Sequence, residues 1–148
     1  MPRPILGILA LTGEVFLDTN ILLYAALGMD DSPDKWMIAR QILLEGKFVT
    51  SGQVLAEFYS NAIRKGRRPL SKPEALNWVR QLAQKRCQVI DSQLVEQAIG
   101  FSDRYQISYW DGAIIAAAER LGARLLYTED LNHDQIYGTV TARNPFLS

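Results

Sequence analysis

The sequence predicts an α/β domain built on a mainly parallel sheet of four to five strands. Two observations predict it. Short apolar runs recur along the chain: Val15-Phe16-Leu17, Phe48-Val49-Thr50, Gln88-Val89-Ile90 and Arg124 to Tyr127, with Thr139-Val140-Thr141 as a fifth. The stretches between them carry apolar residues at helical spacing. A strand buried on both faces beneath crossover helices has this alternation. There is no internal repeat, low-complexity segment or linker, and 148 residues read as one domain.

Each element has a local cause. Val15-Phe16-Leu17 ends at Asp18, and Asp18 or Thr19 can cap the helix expected over Ile21 to Ala26. Gly28 to Pro33 is rich in turn formers and reads as a loop. From Lys35 to Glu45 the apolar residues Trp36, Met37, Ile38, Ile42, Leu43 and Leu44 point almost all round, as on a helix covered on more than one side. Gly46 ends it. Ser51 opens a helix with Val54, Leu55, Phe58, Ala62 and Ile63 on one face, and Gly66 to Leu70 is a basic loop. Ser71-Lys72-Pro73-Glu74 is a capping box, followed by Ala75, Val79, Leu82 and Ala83 at core spacing. Leu94, Ala98, Phe101 and Tyr105 stripe the next helix. Ser108 starts the last one, with Ile114, Ile115, Ala118 and Leu121 inward, and Gly122 stops it.

Composition narrows the function classes. Formal net charge is zero, so a nucleic-acid partner requires a local basic patch rather than bulk charge. With one cysteine, Cys87, and one histidine, His133, neither an intrachain disulfide nor a zinc site of several His and Cys is available. No apolar run reaches the ~20 residues a membrane helix needs. Residues 1–14 read as an N-terminal extension: a single Arg precedes a short apolar stretch, without a small-x-small cleavage site. A cytoplasmic protein is expected, with residues 15–148 as its domain.

Four acids stand where chain direction should change: Asp18 after the first strand, Glu57 in the second long helix, Asp111 at a helix start, and Asp130 after Thr128-Glu129. In an open parallel sheet the ligand site lies beyond the carboxyl ends of the strands. Singly, each acid has a structural reading. Asp18 can be an N-cap, Asp111 can complete a capping box with Ser108, and Asp130 can shape a turn. Glu57 lies on the flank of its helix's apolar stripe. Jointly they differ, because two carboxylates 5 Å apart repel by roughly 3 kcal/mol at an effective dielectric of 20. Converging acids must take up protons or bind a cation. Oxygen ligands with retained waters suit Mg²⁺ or Mn²⁺, the ions that assist phosphodiester hydrolysis. Thr19, Asn20, Thr128 and Glu129 flank the cluster and can orient a carboxylate or form turns. Glu129 can also replace Asp130 as ligand.

At these residues the chain resembles the PIN-domain family, and within it the VapC-type toxin ribonucleases. The resemblance rests on Phe16-Leu17-Asp18-Thr19-Asn20-Ile21-Leu22-Leu23-Tyr24-Ala25, Glu57 in its helix, Tyr109-Trp110-Asp111-Gly112-Ala113-Ile114-Ile115, Leu126-Tyr127-Thr128-Glu129-Asp130-Leu131, and Asn144-Pro145-Phe146. It implies a three-layer α/β/α Rossmann-like fold. It implies a Mg²⁺- or Mn²⁺-dependent endoribonuclease of a type II toxin–antitoxin system, bound by a small VapB-like antitoxin and forming a homodimer. Carried over, Asp18, Glu57, Asp111 and Asp130 are the catalytic and metal-binding quartet, with Thr128 beside them. Gly112 stands where the family commonly has Ala.

Arg64, Lys65, Arg67, Arg68 and Lys72 surround the loop after the Glu57 helix and offer the local patch for RNA phosphates. Tyr24, Trp36, Tyr59 and Trp110 can stack on bases or fill the core. The apolar helix from Lys35 to Glu45 can meet an antitoxin or a second subunit, and His133 reads as a solvated loop residue. Two rival functions remain: an Asp-nucleophile phosphatase of the haloacid-dehalogenase kind, which requires Asp where Asn20 stands, and a silent RNA- or protein-binding module.

Overall fold

The computed structural model describes residues 13–147, so most of the expected extension lies outside the described residues. Six strands, β1 (Val15–Leu17), β2 (Phe48–Ser51), β3 (Cys87–Gln88), β4 (Leu125–Tyr127), β5 (Ile136–Tyr137) and β6 (Val140–Arg143), form one sheet in the order β3-β2-β1-β4-β6-β5. All pairings are parallel except β5 with β6. The sheet is thus mainly parallel with one strand more than expected. The extra strand belongs to a short hairpin turned at Gly138, whose φ of 63° suits a residue without Cβ.

Six helices join the strands: α1 (Thr19–Asp31), α2 (Pro33–Glu45), α3 (Gly52–Ala62), α4 (Lys72–Leu82), α5 (Ser92–Tyr105) and α6 (Tyr109–Arg120). They divide into two groups. α1 packs on α2 and α3, and α3 on α4; α5 packs on α6, which rests on β2, β4 and β6. Phe16, Leu17, Val49 and Leu126 from the central strands are fully buried with Ile21, Leu22, Val54, Phe58 and Ile115 from the helices. The capping box at Ser71 and Glu74 closes in both directions. Among the described residues no helix is long and apolar enough to cross a membrane.

Three expectations need correction. The expected loop over Gly28 to Pro33 is mostly helix, because α1 continues to Asp31 and α2 begins at Pro33. Gly28 there is a packing site: a Cβ would lie 3.3 Å from that of Trp36. α2 is not covered on several sides. Only Ala39 is fully buried, while Met37 and Leu44 are 64% and 79% exposed. The third strand is Cys87–Gln88, and Val89 and Ile90 lie beyond it, exposed.

The chain leaves β1 towards β2 and β3, then returns to place β4 on the other side of β1. That reversal opens a crevice at the carboxyl ends of β1 and β4. The register pairs Leu17 with Tyr127, so the residues that follow, Asp18 and Thr128, emerge side by side.

Candidate active site

Asp18 sits at the crevice floor, 6% exposed. Its Oδ1 accepts from the Thr19 backbone N–H at 2.7 Å, which also caps α1, and its Oδ2 accepts from the Thr128 hydroxyl at 2.7 Å. Burial pushes its pKa up to about 7 against the opposing effect of these bonds, and the charges of Asp130 and Glu57 raise it further.

The other acids converge on this floor from separate elements. Glu57 projects from α3; its Oε1 accepts from the Thr19 hydroxyl at 2.7 Å and its Oε2 from the Gln53 amide at 3.3 Å. Asp111 lies in the first turn of α6, where its N–H is capped by the Ser108 hydroxyl at 3.0 Å. The reciprocal backbone half of the expected capping box is not among the bonds formed, but the Asp111 carboxylate keeps a side-chain hydrogen bond to Ser108 at the helix end. Its pKa is raised by partial burial against the opposing Ser108 hydrogen bond, and the charges of Asp130 and Glu57 raise it further. Asp130 stands at the open rim, its N–H held by the Thr128 hydroxyl at 3.0 Å. Its pKa is raised by desolvation, then by Glu129 and Glu57, while the Asn20 amide opposes the shift.

Thr19 therefore touches Asp18 and Glu57, Asn20 touches Asp130, and Thr128 touches Asp18 and Asp130. The Asn20 Oδ1 is buried without a hydrogen-bond partner. Among the described residues none of the four carboxylates pairs with a cationic side chain. Nor do three His, Cys, Asp or Glu side chains among them stand close enough to enclose a metal ion. A divalent cation fits the donor set on other grounds. The carboxylate and amide oxygens are hard ligands, one acceptor is orphaned, and the charge is uncompensated; an ion held by one or two carboxylates that keeps several waters meets all three.

Glu129 does not join the cluster, which corrects its reading as an alternative ligand. It accepts from the Tyr24 hydroxyl at 2.8 Å and pairs with Lys35, whose Nζ also lies over the Tyr24 and Phe146 rings at 4.8 and 5.5 Å. No local motif in the sequence announces Lys35, because it lies 94 residues from Glu129. Gln53 did leave a signal: it precedes Glu57 by four residues, one helical turn.

The basic loop lies against the end of α1. Arg67 and Arg68 lie 3.7 and 3.4 Å from Asp31 and Asp30, and Arg64 donates to Asn61. Lys65 shares a cleft of about 250 Å³ with Asn20, Tyr24 and Asp31. Lys72 is exposed in the first turn of α4, and His133 meets Asp134 and the Asn144 N–H, away from the acids. Gly112 has a packing cause: a Cβ there would stand 2.5 Å from the Ala98 carbonyl, so α6 can approach α5 this closely only without a side chain at that position.

The sequence model of the PIN domain family matches residues 15–138. No curated protein matches the chain. Among solved structures, Mycobacterium tuberculosis VapC20, described as a sarcin-ricin loop cleaving toxin, superposes with a TM-score of 0.63 at 23% identity, over 79% of this chain and 90% of that one.

Proposed function

The chain belongs to the PIN-domain family, and from that membership we propose that it is a metal-dependent endoribonuclease, the toxin of a toxin–antitoxin pair. The observation that carries the reading is the gathering of Asp18, Glu57, Asp111 and Asp130 at one sheet edge, none of them paired with a cationic side chain among the described residues. The similar VapC20 is described as a sarcin-ricin loop cleaving toxin, which favours a nucleic-acid substrate for this chain, RNA in the present reading.

One or two of Asp18, Glu57, Asp111 and Asp130 would hold Mg²⁺ or Mn²⁺ directly, the ion keeping several waters. The chemistry such an ion supplies when bound is acidification of a water for attack on phosphorus and neutralisation of charge growing on the phosphoryl and leaving oxygens. The chain's own residues fix where that happens. Thr128 and the Thr19 N–H hold both oxygens of Asp18, the Thr19 hydroxyl and Gln53 aim Glu57, and Asn20 steadies Asp130. These bonds orient the carboxylates before substrate arrives, so little reorganisation is left for the reaction. Lys65, beside Asn20, is positioned to take a phosphate of the strand. Products carry 5′-phosphate and 3′-hydroxyl ends. The exposed Met37, Ile38 and Leu44 of α2 give an antitoxin or a second copy an apolar surface to cover.

The test is incubation of the purified protein with total RNA in Mn²⁺, with and without chelator. Cleavage that chelator stops supports the reading; RNA left intact in Mn²⁺ contradicts it. Release of inorganic phosphate from small monoesters would instead favour the phosphatase, although Asn20 stands where that chemistry requires a second Asp.

A further inference from the structure

Trp110 is 62% exposed, and it is the one aromatic residue among those described whose side chain is largely open to solvent. The other aromatics near the site are engaged in packing. Tyr24 meets Phe146 edge-on and bonds Glu129, Trp36 packs on Gly28 and Arg40, and Tyr59 is half-buried against the core. Trp110 is held in place although exposed. Tyr109 packs against its ring at 5.0 Å and 81°, and the Gln53 amide donates to its carbonyl oxygen at 3.3 Å. A cleft of about 320 Å³ opens beside it, lined by Gln53, Ala56, Glu57, Ile90 and Trp110. Ile90, itself 50% exposed, is the second apolar wall. Trp110 precedes Asp111 in the chain, and Glu57 belongs to both the cleft and the acidic cluster.

We propose that Trp110 and Ile90 form a stacking subsite for one nucleobase of single-stranded RNA, next to the bond to be cut. The proposal rests on the nuclease reading and names how that site grips its substrate. Charge selects the occupant. The cleft is lined by no cation and by the Glu57 carboxylate, so it repels phosphate and accepts an uncharged planar group. The basic side chain stands in a separate cleft, where Lys65 lies with Asn20, the residue whose amide bonds Asp130. A strand that reaches both clefts thus meets a cation in one and an indole face in the other. Every base presents a π-face, so this subsite selects unpaired nucleotides rather than a particular letter.

The experiment uses the full chain, Mn²⁺ and a short single-stranded oligoribonucleotide, with an abasic nucleotide placed in turn at each position flanking the cut. Trp110→Ala is expected to raise KM about tenfold with a much smaller change in kcat, and Trp110→Phe to recover most of the loss. One abasic position should raise KM for the wild type and add nothing further in Trp110→Ala. Equal KM for wild type and Trp110→Ala on an RNA that the wild type cleaves overturns the subsite and leaves the nuclease standing. Unchanged KM with lost binding of a cognate antitoxin makes this face a protein-docking surface, which also overturns it. A wild type that neither binds nor cleaves the oligoribonucleotide overturns subsite and nuclease reading together.

Discussion

Glu129 and Asp130 are neighbours in the chain and end in opposite electrostatic surroundings. Glu129 turns to Lys35 and Tyr24, where its charge is balanced within the protein. Asp130 turns to Asp18, Glu57 and Asp111, where four carboxylates meet no cationic side chain among the described residues. The first region joins α1, α2 and the loop after β4 and is complete as it stands. The second has its hydrogen-bond donors in place and its charge unbalanced. An acid balanced by the fold serves the fold, whereas acids held together against their repulsion serve something that arrives from outside.

Substitutions that treat the two regions alike would break this contrast. Replacing Asp18 or Asp111 with Asn should lower cleavage in Mn²⁺ by roughly a thousandfold or more while the thermal melt remains cooperative. An active Asp111→Asn variant would remove that residue from the site.

Stability should separate the regions by pH. The folded-state pKa of Asp18, about 7, lies above its ordinary value of 3.8, so the folded chain binds this proton more tightly than the unfolded chain. Stability from this group is therefore greatest below pH 4, falls as pH rises to about 7, and is level above. The loss is on the order of 4 kcal/mol over that window. In chelator, Asp18→Asn should gain on wild type by several kcal/mol at pH 7.5 and by only about 1 kcal/mol at pH 4.5, as measured by urea unfolding. Equal differences at both pH values would refute the uncompensated cluster.

The compensated region should behave oppositely. Glu129→Gln or Lys35→Met should cost about 1 kcal/mol, as expected for a partly exposed pair, at any pH where both charges exist. Cleavage should fall less than tenfold, since neither side chain bonds to the acids and Glu129 reaches them only through its charge on Asp130. The smallest effect belongs to Arg67 and Arg68, which already face Asp31 and Asp30. Reversing them should weaken RNA binding less than Lys65→Glu does, as read from the salt dependence of affinity.

Much of this was legible in the sequence, in uneven ways. Strands ending in Asp18 and Thr128 pointed to one sheet edge, because a parallel sheet puts all its carboxyl ends together. That β4 returns to lie beside β1, making Asp18 and Thr128 partners, is a matter of topology that no local pattern carries. Gly28 read as a helix breaker because an isolated glycine usually marks a turn; here the missing Cβ lets α2 approach. The two-residue strand β5 is too short to show a period. Asn20 and Thr19 were visible as flanking residues, but which acid each would touch was not. The Lys35–Glu129 pair was invisible, since spacing rules do not reach across most of a chain. Among the four aromatics that could stack on bases, only exposure singled out Trp110.

The most direct measurement is calorimetric titration of Mn²⁺ into RNA-free protein near pH 7, in two buffers of different ionisation enthalpy, for wild type and Asp18→Asn. The wild type should bind saturably and release a fraction of a proton, because the ion displaces the one that Asp18 shares at that pH, and Asp18→Asn should bind far more weakly without releasing it. A wild type that takes up no Mn²⁺, or binds it as Asp18→Asn does, would contradict the claim that these four carboxylates are held together for a cation.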